Sequence, residues 1–216
     1  MPTTAGTTAP PLFGLAEGVV LEYARLPVDG LPPLLREESR LMVGLPLARR
    51  EDFRLGRAAA AKCLSVLGQR GPVLSEGRMP LFPQGVVGSI SHRNGTAVCL
   101  AARSSDIRAA GVDIEIARSI PPRAARILCT ERERAWLKQQ PDPEQQLTAL
   151  FSMKEAVYKA ACGLRLAIRS FKELELPVDC YDGKVWDGIA VVHGVRLQTG
   201  GRPADRTVLT WAVARL

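Results

Sequence analysis

Residues 111–116 read Gly-Val-Asp-Ile-Glu-Ile, an alternation of aliphatic and acidic side chains that fits a β-strand and not a helix. Successive side chains of a strand point to opposite faces of its sheet, so the aliphatic residues would be buried on one face. Asp113 and Glu115 would then leave the other face side by side. The alternation therefore predicts a strand from about residue 110 to residue 118 that presents a pair of carboxylates.

A second segment, residues 151–159, reads Phe-Ser-Met-Lys-Glu-Ala-Val-Tyr-Lys and favours a helix. The pair Asp142-Pro143 supplies an N-cap and a first-turn proline before it, and Gly163 suits a C-terminal cap after it. Glu155 and Lys159 are four positions apart, so one helix face carries a third carboxylate beside an ammonium group.

Three carboxylates accompanied by lysines indicate a Mg²⁺ ion, or alternatively Mn²⁺, that holds a phosphorylated substrate. Mg²⁺ prefers oxygen ligands and shares its shell with phosphates and water. Each pattern also has an ordinary explanation. The alternation describes any half-exposed strand, and Glu155 with Lys159 would form a helix-surface ion pair worth only ~0.3–0.5 kcal/mol.

The two segments together, Gly-Val-Asp-x-Glu followed by Phe-Ser-x-Lys-Glu-x-x-x-Lys, resemble the signature of the 4'-phosphopantetheinyl transferases. Residues 89–92, Ser-Ile-Ser-His, look like an element of the long monomeric members, the surfactin-synthetase-activating and enterobactin synthase component D types. Arg49-Arg50 and residues 53–59, Phe-Arg-Leu-Gly-Arg-Ala-Ala, look like the amino-terminal half of the enterobactin type. The resemblance runs from about residue 36 to residue 163.

One position departs from the family pattern. Several relatives carry a lysine near position 75, where this chain has Ser75, and Arg78 is the nearest cation. The resemblance leaves open whether Arg78 replaces that lysine.

The resemblance implies an α+β fold of two similar α/β halves packed as a pseudo-dimer with the active site at their interface. Residues 16–105 would hold the nucleotide end of coenzyme A, and residues 106–216 would hold the metal and the catalytic helix. Residues 1–15 are expected to form a disordered tail. The sequence itself shows no convincing similarity between the halves.

The implied reaction transfers 4'-phosphopantetheine from coenzyme A to a serine of an apo acyl, peptidyl or aryl carrier protein and releases 3',5'-adenosine bisphosphate. The implied metal ligands are Asp113, Glu115 and Glu155. Glu155 would be the base for the serine proton, and Lys159 would stabilise or protonate the leaving group. The residues expected to contact coenzyme A are Arg49, Arg50, Arg57, Arg78, Ser91, His92, Asp113, Lys154 and Lys159.

Residue spacing supports part of this set independently. Arg50, Arg54 and Arg57 fall on one helical face, where they form either a solvated surface or a phosphate-binding row. His92 precedes an Asn-Gly turn, so it would stand at a strand end within reach of a ligand.

Two other functions fit the same residues. A Mg²⁺-dependent phosphodiesterase or nuclease could use the three carboxylates. A non-catalytic carrier-binding protein would keep a basic surface, although it would not need all three acids.

Composition narrows the class of partner. The chain has 216 residues and a net charge of +7, which favours anionic partners. Nucleic acid is not expected, because aromatic residues are only 5% and the basic residues are dispersed among acids. Five widely spaced cysteines, the absence of a signal peptide and the absence of a long apolar run favour a cytoplasmic protein that does not enter a membrane. The resemblance to the long monomeric type implies a monomer.

The remaining patterns predict the other elements. A helix is expected over residues 34–68 with a break near Gly44 and Pro46, and a capping box opens another helix at Thr130. Strands are expected in five further segments. Residues 86–91 and 96–102 would form a hairpin, and the others are 172–179, 185–198 and 206–215, with a break at Thr199-Gly200-Gly201.

Overall fold

A computed structural model describes residues 15, 17–27, 30–180, 185–204 and 206–216. The tail expected over residues 1–15 lies outside these ranges except for Leu15, which packs partly buried against a core cluster. No helix within the described ranges combines the length and apolarity needed to cross a bilayer. The five cysteines are free thiols.

The described residues form five α-helices and nine β-strands. The helices are α1 Arg36–Val43, α2 Leu47–Val66, α3 Ala125–Leu128, α4 Glu131–Leu137 and α5 Pro143–Gly163. The strands are β1 Val20–Arg25, β2 Leu74–Glu76, β3 Met79–Leu81, β4 Val86–Arg93, β5 Thr96–Arg103, β6 Ile107–Ile116, β7 Trp186–Val192, β8 Val195–Ala204 and β9 Thr207–Arg215.

Two antiparallel sheets, each covered by one long helix, organise the chain. The first has the order β1-β5-β4 and packs against α2, while the second has the order β6-β9-β8-β7 and packs against α5. A cluster of buried apolar side chains, which includes Leu100, Val112 and Trp211, fills the space between the two sheets. The fold is therefore α+β, as predicted. The division into two functional halves near residue 105 stays a prediction.

Serine side chains join the two sheets where β4 lies beside β6. Ser89 Oγ accepts a hydrogen bond from the Val112 amide at 3.1 Å, and Ser91 Oγ accepts one from the Ile114 amide at 3.4 Å. Both partners advance by two residues, so the strands run in the same direction. The carboxyl ends of β4 and β6 consequently lie together, and these ends carry the predicted site residues.

Most elements expected from the sequence are present. The break between α1 and α2, the hairpin β4–β5 and the long helix after Asp142 are confirmed. Asp142 caps α5 by accepting a hydrogen bond from the Gln145 amide at 3.1 Å. Thr130 and Glu133 form the expected capping box at α4.

The strand expected over residues 172–179 is wrong, because this segment forms two 3-10 turns, Phe171–Glu173 and Val178–Cys180. Its backbone groups pair with buried charges and not with a neighbouring strand. Lys154 Nζ donates hydrogen bonds to the carbonyl oxygens of Phe171 and Leu174, both at 2.8 Å. Glu133 Oε1 accepts a hydrogen bond from the Leu176 amide at 3.0 Å.

The strand expected over residues 185–198 is also wrong, because the chain turns at His193-Gly194 and forms the antiparallel pair β7 and β8. The break expected at Thr199-Gly200-Gly201 is wrong as well, because all three residues lie inside β8. Gly200 lies opposite Trp211, and a Cβ at Gly200 would come within 2.3 Å of the indole ring. This glycine therefore makes room for a large neighbour in a continuous strand.

Candidate active site

Gly111 allows α5 to lie directly against β6. A Cβ at this position would stand 1.8 Å from the Ala156 carbonyl oxygen, so any side chain would push the helix away. The close approach brings Glu155 and Lys159 next to the acidic face of β6.

Asp113 is buried and held from three sides. Its Oδ1 accepts hydrogen bonds from Ser91 Oγ and Lys159 Nζ, both at 2.8 Å, and its Oδ2 accepts one from Ser152 Oγ at 2.9 Å. The Ser152 hydroxyl is in turn 2.9 Å from the Thr210 hydroxyl. Residues of β4 and α5 thus fix the orientation of this carboxylate.

Glu115 follows on the same face of β6 and binds a cation from the other sheet. Arg93 Nε lies 3.1 Å from Glu115 Oε2, and Ser119 Oγ donates to the same oxygen at 3.2 Å. Burial raises the pKa of the Glu115 carboxyl and the Asp113 charge adds to this effect, while Arg93 and Ser119 oppose it.

Glu155 completes the acidic group from α5. Burial raises the pKa of its carboxyl. Asp113 and Glu115 raise this pKa further, whereas Lys159 lowers it. Lys159 stands among these groups and also donates to the Val112 carbonyl at 3.0 Å. The predicted carboxylates therefore share one electrostatic environment.

This donor set fits Mg²⁺, since it consists of carboxylate oxygens whose mutual repulsion a divalent cation would relieve. Over the described ranges, however, no three His, Cys, Asp or Glu side chains are already gathered as a metal cage. Lys159 and Arg93 instead neutralise Asp113 and Glu115. Metal ligation by Asp113, Glu115 and Glu155 stays a prediction.

A cleft of about 660 Å³ opens beside these groups, between the β2–β3 hairpin, β4, β6 and α5. Arg78 and Phe82 line it from one side, and Glu155, Tyr158 and Lys159 line it from α5. Its mixed lining, with charges next to apolar side chains, suits a ligand that has a phosphate and an uncharged arm.

The predicted row of Arg50, Arg54 and Arg57 does not form one exposed surface. Arg57 is only 7% exposed, and burial lowers the pKa of its guanidinium. It donates to Ser75 Oγ at 2.8 Å and to the Leu74 carbonyl at 3.2 Å, and it lies over the Phe53 ring at 4.3 Å. Arg57 therefore braces the entry to the β2–β3 hairpin, and Ser75 is its partner.

The other amino-terminal residues are more accessible. The Arg50 Nε donates to the Leu45 carbonyl at 3.0 Å, whereas the Arg49 side chain is 65% exposed and lies 3.9 Å from Asp52. His92 Nδ1 is 3.4 Å from the same Asp52 carboxylate. Burial lowers the pKa of His92, and Asp52 opposes that shift. Arg49 and His92 thus share one carboxylate near the carboxyl end of β4.

Lys154 faces away from this site. Its side chain is 0% exposed, and its Nζ lies 2.8 Å from Glu133 in addition to the two carbonyls of the 171–174 segment. An ammonium group has three N–H donors, and all three have partners here. The prediction that Lys154 contacts a phosphate does not fit this position, so Lys154 is assigned to the core.

Sequence reasoning missed Ser152, Thr210 and Arg93 as parts of the site. Ser152 could have been noticed, because it lies one helical turn before Glu155 and two turns before Lys159 and therefore shares their side of the helix. Nothing comparable marks Thr210 or Arg93, since they reach the site only through the packing of distant elements.

Comparison with known families gives a consistent result. A family model described as "4'-phosphopantetheinyl transferase superfamily" matches residues 109–183. A second one, described as "4'-phosphopantetheinyl transferase N-terminal domain", matches residues 37–102. The two matched ranges contain all of the predicted site residues.

Curated relatives cover most of the chain. The 4'-phosphopantetheinyl transferase Svp of Streptomyces mobaraensis is 32% identical over 88% of this chain and 78% of that protein. The transferase Npt of Nocardia iowensis is 30% identical over 76% of this chain and 74% of that protein. The 4'-phosphopantetheinyl transferase PptT of Mycobacterium tuberculosis is 30% identical over 90% of this chain and 88% of that protein. The solved Thermotoga maritima holo-[acyl-carrier-protein] synthase aligns with a TM-score of 0.42 and 23% identity over 50% of this chain and 64% of that one.

Proposed function

This chain belongs to the 4'-phosphopantetheinyl transferase superfamily, and we propose that it transfers 4'-phosphopantetheine from coenzyme A to a serine of an apo carrier protein in a Mg²⁺-dependent reaction. Its relatives are named as transferases of this kind, so membership makes the chain an enzyme of this class and confirms the resemblance drawn from the motifs. The observation that carries the proposal is the shared environment of Asp113, Glu155 and Lys159 beside the cleft.

Asp113, Glu115 and Glu155 are the proposed ligands of the ion. A bound Mg²⁺ would neutralise the pyrophosphate of coenzyme A and polarise the phosphorus under attack. The raised pKa values of Glu115 and Glu155 support this assignment, because both follow from burial together with neighbouring negative charge.

Glu155 and Lys159 are the proposed proton-transfer groups. Both side chains line the cleft, so both have access to a bound substrate. The attacking serine loses its proton to Glu155, directly or through water, while its oxygen forms a bond to phosphorus. The bond from that phosphorus to the oxygen of 3',5'-adenosine bisphosphate breaks, and Lys159 stabilises or protonates this leaving oxygen.

Arg49, His92 and Arg78 are the proposed contacts to the nucleotide end and phosphates of coenzyme A. Arg49 and His92 lie together at Asp52, and Arg78 lines the cleft on the β2–β3 hairpin. Arg57 supports this arrangement from the core by bracing the same hairpin at Ser75.

The second substrate is proposed to be an acidic carrier protein. A carrier that presents an acidic helix beside its modified serine would be attracted by the net charge of +7. Which acyl, peptidyl or aryl carrier is modified is decided by contacts beyond this charge.

Intact-mass analysis of several apo carriers tests the proposal. After incubation with this protein, Mg²⁺ and coenzyme A, at least one carrier should gain the mass of one phosphopantetheine group. This gain should be absent in excess chelator and absent when the Glu155→Gln variant replaces the protein. Cleavage of nucleic acid without coenzyme A, with no carrier modified, would favour a phosphodiesterase or nuclease. Stable retention of a carrier without a mass gain would favour a non-catalytic binding protein.

A further inference from the structure

Arg93 on the first sheet forms an ion pair with Glu115 on the second sheet, and Glu115 is one of the proposed metal ligands. It is the last residue of β4, and Glu115 is next to the last residue of β6. Arg93 Nε lies 3.1 Å from Glu115 Oε2, and the two side chains are 46% and 13% exposed. The ion pair is thus accessible to solvent on the arginine side and mostly covered on the glutamate side.

Each of the two β6 carboxylates has its own cation. Lys159 Nζ is 2.8 Å from Asp113, and Arg93 holds Glu115. These partners belong to different elements, since Lys159 is on α5 and Arg93 is on the hairpin β4–β5. Because the pairs satisfy the two charges separately, nothing in this arrangement draws the carboxylates toward one point.

We propose that Arg93 pairs with the Glu115 carboxylate when no metal is bound and must release this carboxylate when the metal binds. Arg93 therefore sets the metal affinity of the site. This inference rests on the proposed function, because it takes Glu115 as a metal ligand. A guanidinium group and a divalent cation repel each other, and they compete for the same carboxylate.

The ion pair is suited to such an exchange because its arginine side is open to water. Arg93 is 46% exposed and is therefore screened and readily solvated, so displacing it costs less than breaking a fully buried pair would. Ser119 donates to the same oxygen at 3.2 Å without adding charge, so it can keep Glu115 near its position during the exchange.

Binding of Mn²⁺ to the full chain without coenzyme A, measured by electron paramagnetic resonance, tests the proposal directly. Arg93→Gln should tighten Mn²⁺ binding by about two- to fivefold, which corresponds to the worth of a partly exposed ion pair. The difference should shrink at high salt because exposed charges are screened. Arg93→Lys keeps the positive charge and should bind Mn²⁺ within about twofold of the unaltered protein.

Two further variants separate competition from other effects. Arg196→Gln removes one exposed positive charge from the second sheet and controls for net charge. Ser119→Ala removes the neutral partner of Glu115 and should not tighten binding. In chelator, Arg93→Gln should also melt at a lower temperature than the unaltered protein and gain more from added Mn²⁺, because Glu115 then lacks its cation.

The opposite sign overturns the proposal. Weaker Mn²⁺ binding by Arg93→Gln would mean that Arg93 orients Glu115 for the metal, and equal binding would mean that Arg93 has no influence on it. Failure of the unaltered protein to bind Mn²⁺ would overturn the metal centre and this inference together. If the unaltered protein binds Mn²⁺ and Arg93→Gln binds it with the same affinity, this inference is overturned and the proposed function remains intact.

Discussion

Gly111→Ala tests how closely α5 must approach β6. The added methyl would stand 1.8 Å from the Ala156 carbonyl oxygen and 2.8 Å from the Ala160 amide nitrogen. The oxygen belongs to the helix backbone and has no flexible end, so the helix itself must move. It must retreat by roughly 1.6 Å to reach an ordinary contact.

Two measurable losses follow from this displacement. Overpacking of a tight core costs ~1–3 kcal/mol, so the free energy of unfolding in urea should fall by at least that amount. A misplacement of about 1 Å near the reacting groups can cost ~100-fold in rate, so carrier modification should fall by about this factor in protein that is still folded. The rate is measured by intact mass at a temperature well below the melting transition.

Gly44→Ala is the matched control, because a Cβ at Gly44 meets nothing within 4 Å and the residue has a helical φ of −83°. This control should change neither stability nor rate appreciably. If Gly111→Ala has the same free energy of unfolding and the same rate of carrier modification as the unaltered protein, the close packing of α5 on β6 is refuted. The reason that Glu155 lies near Asp113 would then be refuted as well.

Three other predictions concern single side chains. Glu133→Ala leaves the Lys154 ammonium buried without its carboxylate, so the free energy of unfolding in urea should fall by ~3–5 kcal/mol; a loss below ~1 kcal/mol would contradict the buried pair. Glu155→Gln should raise the melting temperature of the metal-free protein at pH 7 while it abolishes transfer. A carboxyl whose pKa is raised in the folded state destabilises the fold increasingly as pH rises from its unfolded-state pKa, and fully above its folded-state pKa. The gain in melting temperature should therefore vanish as pH falls through this range, and a gain that does not depend on pH would count against the raised pKa. His92→Ala should raise the KM for coenzyme A at least tenfold, in line with a charge-assisted hydrogen bond of ~1.5–3 kcal/mol, but should matter much less for 3'-dephospho-coenzyme A; equal losses with both donors would place His92 elsewhere.

Local patterns predicted the elements that carry the site. The alternation at residues 111–116 and the capped helix that ends at Gly163 are both present, because burial on one face and helix capping act over a few residues. Asp113, Glu155 and Lys159 were expected to meet, and the structure brings them together. Short-range physics was sufficient for the strand and the helix, whereas the meeting of Asp113 with Glu155 and Lys159 was expected from the family resemblance.

Long-range pairing was not accessible from the sequence. Lys154 is adjacent to Glu155, but consecutive helical residues point about 100° apart, so only one of them can face the cleft. The partner of Lys154 is Glu133 on another helix, and this pair binds backbone groups of Phe171, Leu174 and Leu176, where a strand over residues 172–179 was expected. The same holds for Gly200, whose role depends on Trp211 of the neighbouring strand.

The Mg²⁺ dependence of carrier modification in single-ligand variants decides whether the three carboxylates form a metal centre. Asp113→Asn, Glu115→Gln and Glu155→Gln each remove one negative oxygen ligand while keeping the size of the side chain, and Asp179→Asn, on an exposed turn, serves as the control. We predict that each of the first three raises the half-saturating Mg²⁺ concentration or removes nearly all transfer, whereas the control does neither. Undiminished transfer in excess chelator, or three variants that respond to Mg²⁺ like the unaltered protein, would contradict a metal centre formed by these carboxylates.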